Sequence, residues 1–94
     1  MNEVFLSGLI TKTHFTIDQP ASHFSFELTS LPHDANEHIT SCTITINAWD
    51  KLAEWSTANL HAGDQVLVKG ILVPSAIKEA PHRIEIAATR IVMI

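Results

Sequence analysis

Aromatic residues make up only 6% of this 94-residue chain, and glycine occurs three times. So few glycines exclude a glycine-rich phosphate cradle. Serine, histidine and aspartate are present, but neither order nor spacing gathers them into a base–nucleophile pair. The expectation is therefore a protein that is not an enzyme and holds no cofactor. Cys42, the single cysteine, excludes an intrachain disulfide framework. Lysine and arginine number six against ten acidic residues, giving a net charge of −4. General nucleic-acid binders usually carry a basic field instead. Protonating all six histidines would reverse the sign of that charge, so charge-driven behaviour is expected to depend on pH. There is no apolar or Lys/Arg-rich leader and no run long enough to cross a bilayer, so a cytoplasmic location without a membrane partner is expected.

What the chain does have is apolar content, at 46%. Residues 1–94 read as one domain, without repeat, low-complexity tract or linker. A core this size is only just large enough to fold alone, and pairing with a second copy is a common remedy. A homo-oligomer is expected on those grounds.

Strand signals dominate. Residues 2–10 are apolar on both faces, with Gly8 inside marking a bulge or sharp bend, and β-branched residues continue the strand to Ile17. Asp18-Gln19-Pro20 reads as a turn. Phe24, Phe26 and Leu28 then alternate with His23, Ser25 and Glu27, the period-two pattern of a half-buried strand. A polar loop covers 32–37. From Cys42 the alternation returns, with Cys42, Ile44, Ile46 and Ala48 inward and Thr43, Thr45, Asn47 and Trp49 outward. Asp50 suits a helix N-cap, residues 51–61 read as a helix with Leu52, Ser56, Asn59 and Leu60 on one side, and Gly63 suits the left-handed C′ position that ends it. Residues 65–73 form a strand, 74–81 a loop, and 83–94 a long final strand. Five strands with one helix between the third and fourth is the layout of an all-β, five-stranded OB-fold barrel.

The run "INAWDKLAEWSTANLHAGDQVLVKGIL" resembles the third strand, helix and fourth strand of the bacterial single-stranded-DNA-binding protein (SSB) family, with Lys51 to Glu54 as its Lys-Leu-Ala-Glu signature. "NEVFLSGLI" and "HFSFELT" resemble the family's first two strands, so the likeness spans nearly the whole chain. The family usually carries a disordered tail with an acidic tip. This sequence stops at Ile94, inside its last strand, and in that respect is similar to the family's tailless, dimeric primosomal replication protein N type.

OB folds bind single strands on the outer face of strands two and three, stacking bases on aromatics and meeting phosphates with cations. The resemblance puts Trp49 at the family's stacking aromatic ahead of the Lys-Leu-Ala-Glu run. Covering a barrel edge or an oligomer interface is the other use of such a tryptophan. Thr43 stands where the family has a second stacking tryptophan. Phe15 is the other aromatic candidate, whereas Phe24 and Phe26 have core parity. Lys12, Lys51, Lys69, Lys78 and Arg83 are candidates for phosphate contacts, with solvated surface charge as the plain alternative. Glu27 would repel a phosphate. Three or four phosphate contacts per subunit imply a salt slope of about −2 to −3 and weak binding by one subunit alone. His33, His38 and Cys42 with Asp34 and Glu37 are too loosely spaced for a metal site.

The sequence therefore predicts a barrel that binds single-stranded DNA non-specifically in replication, replication restart or recombination. Its partners would be replication or restart proteins. It would be a homo-oligomer, dimer favoured over tetramer, joined through Val4, Phe5, Leu6 and Leu9 of the first strand. The alternative is an OB-fold adaptor that has largely lost nucleic-acid binding, a reading the acidic charge favours.

Overall fold

A computed structural model describes residues 1–18, 21–30, 41–75 and 82–94. The elements run β1 (Val4–Asp18), β2 (Ala21–Thr29), β3 (Thr43–Trp49), α1 (Asp50–Asn59), β4 (Gln65–Pro74) and β5 (Ile84–Met93). The strands close into a barrel in the order β1-β2-β3-β5-β4. All neighbours are antiparallel except β3 and β5, which meet in parallel at Ile46–Ile86 and Asn47–Ala87. This is the five-stranded OB-fold expected from the sequence.

β1 serves two neighbours in turn. Val4 to Leu9 pair with β4, and Leu9 to Asp18 pair with β2. The strand must bend where it changes partner, and Gly8 stands there. A Cβ on Gly8 would lie 2.3 Å from the Thr29 carbonyl oxygen, so only glycine allows β1 to press against the end of β2. The bulge lies elsewhere. Ile10 pairs with Leu28 but Lys12 with Glu27, which leaves Thr11 as the extra residue. Beyond Thr11 the inward parity of β1 is therefore shifted by one.

Ile10, Phe26, Leu28, Ile46, Val68 and Ile86 are fully enclosed and fill the barrel. α1 packs on β2 and β3. It buries Ala53 and Ser56, small residues that let it sit close, and Leu60 at its C-cap is buried as well. Asn59, expected on that side, is exposed.

Both helix ends differ from the sequence reading. Trp49 is the N-cap, with extended backbone at φ −124 and ψ 158 and no side-chain cap bond. Asp50 is instead the first helical residue, at φ 56. Aspartate is among the few non-glycine residues that visit this left-handed region routinely. One residue thus turns the chain from strand to helix, and no loop separates them. At the other end α1 stops at Asn59. Gly63, at φ 97, belongs to the following turn, where its N–H donates to the Ile10 carbonyl at 2.7 Å.

Cys42 precedes β3 and is exposed, contrary to its inward parity. His33, Asp34, Glu37 and His38 lie outside the described residues, so no geometry bears on that cluster. Among the described residues, no helix is long and apolar enough to cross a membrane.

Candidate nucleic-acid interface

Pairing across β1, β2 and β3 sorts side chains into rows. Phe26 and Ile46 form one inward row, and Phe24 and Ala48 another. Between and beside them lie the outward rows: Lys12, Glu27 and Thr45; His14, Ser25 and Asn47; Thr16, His23 and Trp49. Parallel pairing extends the second of these to Ala87 of β5.

Trp49 points outward, as its parity required, and is 44% exposed. Its ring stacks on the His23 imidazole, with centroids 5.1 Å apart and planes 24° from parallel. The same imidazole is held from its edge. His23 Nε2 lies 2.7 Å from Asn47 Oδ1. Asn47 Nδ2 donates to Glu85 Oε1 at 2.7 Å, and Ser75 Oγ donates to Glu85 Oε2 at 2.7 Å. A carboxylate only accepts, so the amide nitrogen of Asn47 must face Glu85 and its oxygen must face His23. His23 must therefore carry its proton on Nε2 to donate. The chain Ser75, Glu85, Asn47, His23 fixes both the plane and the tautomer of the ring on which Trp49 rests.

Sequence reasoning missed this network. Asn47 has outward parity, yet only 6% of it is exposed. Its neighbours account for that: His23 comes from β2 and Glu85 from β5. The signal available was a polar residue preceding Trp49 by two, on the same face.

The other candidates scatter. Lys12 lines a shallow pocket with His14, Ser25, Glu27 and Thr45 on the outer face. Arg83 lines an adjoining one with Glu27, Thr45 and Glu85. Among the described residues neither cation forms an ion pair. Lys51 is exposed in the first turn of α1, two residues past Trp49. Lys78 lies outside the described residues. Phe15 pairs with Phe24 in an inward row, so it stands on the opposite side of the sheet from Trp49, 36% exposed. The Thr11 bulge puts it there. Lys69 belongs to the β1–β4–β5 surface, 3.0 Å from Glu3 and 5.7 Å above the Phe5 ring.

The proposed oligomer residues divide by parity. Val4 and Leu6 pack against the core, while Phe5 is 62% exposed beside Leu67 and Val92. Leu9 shares Phe5's side of the strand and is half-buried.

The sequence matches the model of the single-strand binding protein family over residues 1–93. The chain belongs to that family. The fold resembles the second single-stranded DNA binding protein of Mycobacterium smegmatis, at 25% identity and a TM-score of 0.81, covering 98% of this chain and 87% of that one. It also resembles the wild-type single-stranded DNA binding protein of Thermus aquaticus, at 25% identity and a TM-score of 0.77. All of this chain is covered there but only 40% of the Thermus protein, so the chain spans about two fifths of that relative. The SSB domain of a Synechococcus protein, at 16% identity and a TM-score of 0.76, shares the fold. Comparison of the sequence with curated proteins finds no match.

Proposed function

We propose that this chain binds single-stranded DNA without sequence specificity, stacking bases on Trp49 and meeting phosphates with a thin set of cations. The observation that carries the reading is the exposed Trp49 ring, held on the His23 imidazole on the outer face of β2 and β3. The family, and the solved single-stranded DNA binding proteins that share this fold, support it. Lys12 and Arg83 lie farther along the same face, beside Glu27 and Thr45, Lys51 follows Trp49 by two residues, and Lys78 is a further candidate from the sequence alone. Phe15 and Lys69, the other two candidates, lie off this face and stand outside the proposed contact surface. The setting is replication, replication restart or recombination in the cytoplasm, with replication or restart proteins as partners.

The test is fluorescence anisotropy of labelled oligo-dT of about 35 nucleotides, long enough for more than one barrel. At about 20 mM salt, where exposed charges are weakly screened, saturable binding is expected. The affinity should fall with salt at a slope of about −2. On the face, Glu27 and Glu85 offset Lys12 and Arg83. Absence of binding would leave the second reading, an OB-fold protein-interaction adaptor, which the two carboxylates on this face favour.

The protein in this reading is a homo-oligomer, dimer favoured over tetramer. Val4 to Gly8 pair with β4 along one edge, and among the described residues no strand pairs with the other. A second copy's first strand fits that edge, with Phe5 and Leu9 packing on one side. Phe5→Glu places charge in the apolar contact and should yield monomers. An unchanged sedimentation mass would sink this interface.

A further inference from the structure

Beside Trp49 the outer face opens into a cleft of 330 Å³ lined by His23, Asn47, Val73, Pro74, Glu85 and Ala87. Its apolar floor of Val73, Pro74 and Ala87 and its tryptophan wall suit a flat ring. Its one carboxylate is set in place by two hydrogen bonds. Glu85 accepts from Asn47 on one oxygen and from Ser75 on the other, and each carboxylate oxygen has a further lone pair to offer. A carboxylate on a DNA-binding face repels phosphates, so its favourable use is toward a base edge.

We infer that this cleft is a base subsite in which Glu85 accepts a hydrogen bond from an exocyclic amine, favouring cytosine over thymine. The inference rests on the single-stranded DNA reading above. Cytosine carries its N4 amine next to a C–H, so a carboxylate can approach the amine without meeting another acceptor. Thymine has O4 at that position, and its one donor, N3–H, lies between two carbonyls that a carboxylate repels. Base–aromatic stacking is tolerant of base identity, so Trp49 supplies affinity and Glu85 supplies discrimination. Asn47 and Ser75 are positioning residues: they hold the carboxylate and do not touch the base.

The experiment measures affinity at pH 7.5 for labelled oligo-dC, oligo-dT and oligo-dU of equal length, the last removing the thymine methyl. Oligo-dC should bind about tenfold tighter than either of the others, the low end for one hydrogen bond to a charged acceptor. Glu85→Gln should bring the ratio close to one, because its amide also donates to O4. A ligand-side test leaves the protein intact: an oligomer of N4,N4-dimethylcytosine has no amine hydrogen and should lose the advantage. Equal binding of oligo-dC and oligo-dT by the native protein overturns the subsite and leaves the DNA reading standing. A preference that survives either Glu85→Gln or dimethylation also overturns it. Failure to bind any of the strands overturns the DNA reading itself.

Discussion

Trp49→Ala is expected to weaken binding to oligo-dT by about 10- to 100-fold, since base–aromatic stacking contributes about 1–3 kcal/mol per base. The loss should be this large because the outer face has little else to offer. Thr43 presents no ring, Phe15 lies on the other side of the sheet, and the cations Lys12 and Arg83 share the face with Glu27 and Glu85. The upper end applies if two subunits engage one strand, because each then forfeits its stack. Folding should be little affected, since the ring is largely outside the core and the Ser75–Glu85–Asn47–His23 chain does not run through it. The chain has two tryptophans, so fluorescence gives an independent reading: quenching by oligo-dT in the native protein should vanish in the variant, where Trp55 alone remains. Trp49→Phe should recover part of the affinity, because a smaller ring still offers a π face. Unchanged affinity in the alanine variant would remove Trp49 from the interface and strengthen the adaptor reading.

How far the sequence revealed this site follows from which contacts are local. Alternation along β2 and β3 is enforced by a core on one side only, so Phe24, Phe26, Ile46 and Ala48 were legible as inward and Trp49 as outward. Asn47 was not legible as buried, because its partners stand 24 and 38 residues away and meet it only through barrel closure. The side of the sheet on which Phe15 stands was not legible for a different reason. Nothing local distinguishes Thr11 from its β-branched neighbours, yet the bulge there moves every later side chain of β1 to the other face. The helix start was displaced by one residue because Asp50 acts through its backbone, as a left-handed turn, where the sequence suggested a capping side chain. Lys69 has the outward parity expected of it, but parity cannot say which outward face. Pairing of β4 with β1 puts it over Phe5 and against Glu3.

Phe26→Ala should be the most damaging single change to the fold. The side chain is 2% exposed, with its ring 6.0 Å from that of Phe24. Emptying such a site costs about 3–5 kcal/mol, transfer and cavity terms together, against about 5–15 kcal/mol for a whole domain. Collapse around the cavity is restrained, because β2 is registered against β1 and β3 and cannot shift alone. For a domain of this size the midpoint of thermal unfolding should fall by on the order of 20 °C. The comparison that tests the row assignment is Phe15→Ala. Phe15 and Phe26 both stand on the inward side of the sheet, but Phe15 lies near the hairpin end and is half-open to solvent, so its loss should cost a fraction as much. Both variants must be compared at one protein concentration, since an assembling chain gains stability by mass action. No loss at Phe15 would put its ring on the outer face, and the placement of the Thr11 bulge would have to be revised. A loss smaller than that at Phe26 but clearly measurable, with retained oligo-dT affinity, is what an inward ring open at the hairpin end should give, and it would leave Trp49 as the aromatic on which binding depends.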